Sequence, residues 1–294
     1  MTQKPRLKNQ EQRKNYKTSI ILLFCFLLFN NIIYAQEKKV RWKSAQPVQL
    51  DLSLFHSTDV VNLPTAETLQ KGDFHFEISH RFNTAVSEGI SELYGFDGSV
   101  SMRLALGYAF SDHFLFTLGR SNRDGNIDFR LKYKAFQVRN KNFPTLISFR
   151  AGGAYNGKAR NVDNVDKYQF YGQLIVNTLY NKKLGIGFVP SYLYNSHIYC
   201  LDTQDTFTFG MYAQYYVSDR WNLFLEFNPT VTGWRDQHNS MAFGVELETG
   251  GHFFKILLGN NTKLNPTQYL AGAIHEINSD DWHLGFNITR LLKF

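Results

Sequence analysis

From Asp73 onward the chain alternates apolar and polar positions with a period of two, and it scarcely stops. Phe74, Phe76 and Ile78 share one face of the first run, with His75, Glu77, Ser79 and Arg81 on the other. Val100, Met102, Leu104, Leu106, Tyr108 and Phe110 oppose Ser101, Arg103, Ala105, Gly107 and Ala109. Ile127, Phe129, Leu131 and Tyr133 oppose Asp128, Arg130, Lys132 and Lys134, and Trp282, Leu284, Phe286 and Ile288 oppose His283, Gly285, Asn287 and Thr289. Successive side chains of a strand point to opposite faces, so each run predicts a strand with one large apolar face and one small or polar face. Further runs at 114–119, 145–155, 168–179, 184–195, 206–217, 221–230, 240–249 and 252–260 bring the expected count to twelve. Most approach the roughly 9–11 residues that a tilted strand needs to cross a bilayer.

The connectors alternate in length. Ser111–His113, 180–183, Ser218–Arg220 and Gly250-Gly251 are tight turns, and the Gly-Gly pair suits a two-residue hairpin. Between them lie longer polar stretches at 83–98, 156–167, 196–205, 231–239 and 261–281. Short turns at one end and long loops at the other are the asymmetry of an outer-membrane barrel. The stretch 135–144 runs longer than its place among the short turns predicts. Tyr108-Ala-Phe-Ser-Asp-His-Phe114 and Tyr215-Tyr-Val-Ser-Asp-Arg-Trp221 both flank a Ser-Asp turn with aromatics, as an interfacial girdle would. Gln268–Ile274 would make a thirteenth strand; it is short and rich in Ala and Gly, and single-chain bacterial barrels are even-numbered. It is therefore expected in the last outer loop, with fourteen strands as the alternative count.

Composition agrees with this pattern. Aromatics reach 16% and charged residues only 19%, yet mean hydropathy is negative. One run alone is apolar enough to suggest a helical span, and it lies near the N-terminus. Lys4, Arg6, Lys8, Arg13, Lys14 and Lys17 precede the apolar Ile20–Phe29, and Ala35 offers a small residue for cleavage. That predicts a secretory signal peptide over 1–35. Cys25 lacks the small residues that lipidation needs before it. Residues 36–72, punctuated by Pro47 and Pro64, are expected as a periplasmic segment that lies against or inside the barrel mouth. The barrel domain is then 73–294.

Removal of the leader changes the charge argument. It takes six of the 32 basic residues and one of the 25 acidic residues, leaving 26 against 24. The basic balance therefore gives no reason to expect a nucleic-acid partner. Cys200 remains alone, which excludes an intramolecular disulfide.

Alternation by itself also fits a soluble β-sandwich, which would bury its apolar faces and wet its polar ones. The signal peptide, the aromatic-flanked turns and the closing strand favour the membrane. Phe286, Ile288 and the terminal Phe294 resemble the signal read by the barrel-insertion machinery. The fold class expected is all-β, an antiparallel transmembrane β-barrel in the outer membrane, with the lipid bilayer and that machinery as partners. Its polar faces then line the lumen, and Glu77, Arg81, Arg103, Asp128, Arg130, Arg150, Glu226, Glu246 and Glu248 form the candidate charge network there. Neither sign dominates it. Such a network either rigidifies and blocks the barrel or lines a polar pore.

Other chemistry shows weakly. His75, His80, His252 and His283 fall near strand ends without HxH, HxxxH or HExxH spacing, so no metal or cofactor is expected. Ser196-His197, Asp202, Asp205, Asp236 and His238 are the loop residues an enzyme would use, but none sits in a nucleophile motif.

Three stretches carry a family resemblance: Leu63 to Phe82, Glu246-Leu-Glu-Thr-Gly-Gly-His-Phe-Phe254 and Leu284-Gly-Phe-Asn-Ile-Thr-Arg290. Together they resemble a family of Gram-negative outer-membrane β-barrel proteins built on a domain of unknown function, over about 55–294. The resemblance implies an outer-membrane barrel and transfers no catalytic residue; it points first to His80-Arg81 and Thr249–His252. The expected role is a passive small-solute channel, with a closed barrel of structural or partner-binding role as the alternative, and a barrel enzyme acting on lipid or peptide after that.

Overall fold

The computed structural model describes residues 52–159 and 166–293. The expected signal peptide, the first part of the expected periplasmic segment and Phe294 lie outside the described residues.

The strands are β1 (Phe74–Phe82), β2 (Val100–Ser111), β3 (Phe114–Ser121), β4 (Asn126–Val138), β5 (Thr145–Asn156), β6 (Tyr168–Tyr180) and β7 (Leu184–Tyr194). They continue as β8 (Asp205–Tyr216), β9 (Trp221–Asn228), β10 (Thr230–Gly233), β11 (Ser240–Glu248), β12 (His252–Gly259) and β13 (His283–Leu292). Each pairs antiparallel with its neighbour, and β1 pairs with β13 from Phe74↔Leu292 to Arg81↔Gly285, which closes the sheet. β9 and β10 are one stave interrupted at Pro229, and both pair with β8. Proline cannot donate to the ladder, though its carbonyl still accepts the Phe209 N–H at 3.0 Å. The barrel is therefore twelve-stranded, as the alternation predicts.

The short turns lie at the end where β1 begins and β13 finishes. At one of them Gly250 and Gly251 take φ of 69° and 98°, and Thr249 N–H bonds the His252 carbonyl at 2.9 Å. That is the two-residue connection the Gly pair suggests. The turn expected over 135–144 is only 139–144, because β4 runs on to Val138. A register shift between Lys134 and Phe136 moves the outward positions from odd to even, which ends the simple alternation at 134 while the strand continues.

Burial is inverted relative to a water-soluble protein. Leu106 and Leu118 are 50% and 52% exposed on the outer wall, while Arg103 and Asp128 inside are 2% and 0%. Only an apolar surrounding makes such a surface stable. Small residues on the inner face give the long charged ones room. A Cβ on Gly119 would stand 2.1 Å from Arg103 Nη2 and 2.8 Å from Asp128 Oδ1. Gly119→Ala is expected to cost about 1–3 kcal/mol by overpacking, seen as a lower denaturation temperature of the refolded barrel; an unchanged temperature would mean the guanidinium moves aside freely.

The inner face is not polar throughout. Leu146, Ile175, Val189, Phe224 and Leu257 point inward, and they pack on Leu54, Phe55, Val60, Val61, Leu63 and Ala66 from the segment ahead of β1. The core of this barrel is its lumen.

Candidate functional site

Residues 52–72, expected at the periplasmic end against or inside the mouth, run into the lumen and return to the short-turn end. Leu52 N–H bonds Gln137 at 2.9 Å near that end, and on the way back Lys71 N–H bonds the Asp112 carboxylate at 2.7 Å in the β2–β3 turn. The reversal is tight: Asp59 bridges Pro64, and Val60 N–H bonds the Leu63 carbonyl at 2.9 Å. Pro64 and the β-branched Val60 and Val61 favour extended backbone on either side. The result is a re-entrant hairpin.

Charged groups of the wall hold it. The Glu226 carboxylate (β9) accepts the amides of Val61, Asn62 and Leu63 at 2.7, 3.1 and 3.0 Å. The Lys132 ammonium (β4) donates to the carbonyls of Thr58, Thr65 and Glu67 at 2.5, 3.0 and 3.1 Å. Arg150 (β5) pairs with Asp59 at 2.6 Å, and Lys255 (β12) donates to the Asp59 carbonyl at 2.5 Å. Asn177 (β6), Tyr212 (β8), Arg81 (β1) and Asn287 (β13) bond Ala66, Pro64, Asn62 and Val61. Partners on opposite sides of the closed sheet place the hairpin inside it. Burial would push the Asp59 carboxyl up, but Lys132, Arg150, Arg130 and Lys255 outweigh it and hold the group below the usual carboxylate range.

A second cluster lies on the inner face of β1 to β4. Arg103 takes Asp128 in a fork, Nε to Oδ1 at 3.0 Å and Nη2 to Oδ2 at 2.9 Å, and reaches Glu77 with Nη1 at 2.7 Å. Arg130 Nε also pairs with Asp128 at 3.0 Å, and His75 stands 3.3 Å from Glu77. Across the lumen, Glu246 pairs with Lys255 at 3.0 Å and accepts Asn222 at 2.7 Å.

Of the sequence-derived candidates, Glu77, Arg103, Asp128 and Arg130 come together in that cluster. Arg81, Arg150, Glu226 and Glu246 instead contact the hairpin, Glu246 by accepting Ser57 Oγ at 3.1 Å. Glu248 stands apart, accepting Gly251 N–H at 2.9 Å beside its turn. Lys132, Lys134 and Lys255 belong on the same buried face, and their alternation with Leu131, Tyr133 and Phe254 is the signal that marks them. Asp59 and Glu67 had no such signal. On the outer face, Phe286 packs its ring on His80 at 4.5 Å and Ile288 pairs in register with Ile78 and Phe254. His252 lies parallel to Phe254 at 6.0 Å.

From the long-loop end the chain folds inward a second time. Residues 260–273 are buried, including a helical turn, α1 (Pro266–Tyr269). Asn265 bonds Asn126, Lys263 pairs with Asp236 at 2.7 Å, and Tyr269 joins the hairpin's apolar core. Burial lowers the Lys263 ammonium although Asp236 opposes it. The Ala/Gly-rich stretch 268–274 is thus outer-loop sequence, apolar because it packs in the lumen rather than in a strand. Of the loop residues an enzyme would use, His197 stacks on Trp234 at 4.4 Å, Trp234 N–H bonds the Asp205 carbonyl at 2.9 Å and Ser196 N–H bonds the Gln204 carbonyl at 2.8 Å, while Asp236 is committed to Lys263 and His238 bridges Ala273 through its backbone. Among the described residues no group of three His, Cys, Asp or Glu is placed to hold a metal ion.

Two cavities border the inserts. A cavity of about 180 Å³ opens at the short-turn mouth beside His56, Glu67 and His75. A deeper one of about 20 Å³, lined by Asp59, Glu77, Arg103, Arg130 and Lys255, has room for one water.

Among solved structures the chain is similar to the NanC porin (8% identity, 75% of this chain and 100% of that one, TM-score 0.46). It is also similar to an outer membrane channel from Pseudomonas putida F1 (14%, 77% and 98%, 0.43) and to the Acinetobacter baumannii outer membrane protein Omp33 (10%, 76% and 99%, 0.37). None of the curated proteins compared with it matches. Residues 55–292 match the model of a family described as "Membrane bound beta barrel domain (DUF5777)". With an apolar outer wall, a charged interior and a closed sheet already in evidence, the chain belongs to that family and is an outer-membrane β-barrel protein.

Proposed function

We propose that this protein is a closed barrel with a structural or partner-binding role, in place of the passive small-solute channel that the alternation and the polar inner faces suggest by themselves. The observation that carries this reading is the re-entrant hairpin, bound along its length by buried wall charges. A pore lining is expected to keep its charges hydrated; here they are spent on the protein's own backbone and on one another. Removing such groups from water costs several kcal/mol each unless they are paired, so the paired arrangement resists spontaneous opening. A role of this kind leaves the long loops and the short-turn mouth as the surfaces that meet a partner.

The test is conductance. The protein without its leader, refolded and inserted in a planar bilayer, is expected to stay silent while its gel migration shows the heat-dependent shift of a folded barrel. Discrete current steps from the folded wild type would overturn the closed reading and restore the channel.

A further inference from the structure

We infer that the middle of the lumen is an anion site, occupied in the closed barrel by Asp59 of the protein's own hairpin, and that a solute bearing a carboxylate or similar compact anionic group is what the lumen accepts when the hairpin withdraws. This rests on the closed reading above and adds the chemistry of what the plug displaces.

The charge balance is the first support. Arg81, Arg103, Arg130, Lys132, Lys134, Arg150 and Lys255 are buried on the inner wall, against the buried acids Asp73, Glu77, Asp128, Glu226 and Glu246. Among the described residues seven wall cations thus face five anions. The hairpin carries Asp59 and Glu67 into the lumen, and its one lysine, Lys71, is exposed at the short-turn end. It is an acidic insert in a basic lumen, and its departure leaves the wall with an excess of two positive charges. Buried cations left without counter-charge are strongly unfavourable. An anion in the hairpin's place restores the balance, whereas a cation makes it worse.

Geometry locates the site. The wall acids are largely engaged with particular partners, Asp128 with Arg103 and Arg130, and Glu246 with Lys255. Among the described residues Arg150 has only Asp59 as its anionic partner, through Nη1 at 2.6 Å, while its Nε donates to Gln173 at 2.7 Å. Its Nη2 is buried and has no hydrogen-bond partner among the described residues. A guanidinium presents parallel N–H groups that suit a two-oxygen anion, and Asp59 engages one of them. Lys132 lies against the same stretch with three carbonyl oxygens and, among the described residues, no carboxylate in hydrogen-bond contact. The small cavity beside Asp59, also lined by Arg130 and Lys255, marks where the site continues. Asp59 fills an anion site incompletely, as a displaceable occupant would.

Two variants of the full chain test this. In Asp59→Arg the hairpin carries a cation into that cluster, and repulsion should expel it. The refolded variant is expected to give current steps that favour chloride over potassium severalfold in a KCl gradient, where wild type is silent. In Asp59→Gly the whole carboxymethyl group is removed, which leaves an acetate-sized space beside Arg150. Its unfolding midpoint should fall, and sodium acetate should raise it more than acetamide in sodium chloride of equal ionic strength; wild type should show no such difference. Cation-selective steps, a folded but silent Asp59→Arg barrel, or an Asp59→Gly midpoint indifferent to acetate would each overturn the anion site. If Asp59→Arg fails to fold, the acetate comparison decides alone. Conductance in the wild type would instead count against the closed barrel, and the acetate arm would still judge the site.

Discussion

Replacing Glu226 with alanine is expected to detach the hairpin tip from the wall without dismantling the barrel. The carboxylate is fully buried and accepts three consecutive amides, those of Val61, Asn62 and Leu63. Truncation leaves those three donors inside the lumen without their acceptor, at about 1–3 kcal/mol for each unsatisfied group. Water entering the vacated space recovers part of this, so a net loss of about 3–5 kcal/mol for the hairpin's docking is expected, in line with breaking other buried charged contacts. Glu226→Gln keeps the shape and one acceptor oxygen and should cost less than half as much. The readout is amide hydrogen exchange of residues 61–63 in the refolded protein. Docking weakened by that amount should speed their exchange by about two to three and a half orders of magnitude, at about 1.4 kcal/mol per decade, while amides of the β4–β5 ladder keep their protection. Equal protection of 61–63 in the variant would mean that the apolar contacts of Val60 and Leu63 hold the hairpin by themselves.

The inner wall and the hairpin differ sharply in how far they could be read ahead of the structure. The strands were legible because lipid on one side and packed polar groups on the other impose a strict two-residue period, visible in Val100 to Phe110 without any knowledge of neighbours. It failed only where the backbone broke the period, as at the register shift beyond Lys134 that hides the last residues of β4. Sidedness was therefore legible, and with it the inward placement of Arg103, Asp128 and Glu226. Pairing was not. Whether Glu226 meets a wall cation or three backbone amides is settled by residues 163 to 165 positions away in the chain, and nothing in its own neighbourhood records them. Residues 54–69 show no period because the hairpin has no single face. Leu63 meets the apolar patch of the wall while its own N–H meets Glu226. The same applies to Tyr269, whose short apolar stretch suggests a strand until a lumen exists to receive it.

Leu118→Arg is expected to impair folding into lipid by about 2–4 kcal/mol, the cost of a cationic side chain on the lipid face near the bilayer midplane. The size of this effect is informative because the residue looks harmless by the usual criterion. Leu118 is 52% exposed, and in a water-soluble protein a surface substitution of this kind changes stability by about 0.5 kcal/mol or less. Its strand partners argue for mid-bilayer depth. Leu118 pairs with Leu106 on one side and Phe129 on the other, away from the Phe114 and Tyr133 pair nearer the short turns. Position matters as much as identity, so Phe114→Arg, close to that aromatic boundary, should cost only about 0–1 kcal/mol beyond its lost packing, because its side chain reaches the headgroups. Urea titration of the protein refolded in vesicles, read by heat-dependent gel migration, compares the two. A large loss for Leu118→Arg with a small one for Phe114→Arg follows only from an apolar medium around the outer wall that ends near the short turns. Equal, small losses at both positions would mean that the exposed leucines face water.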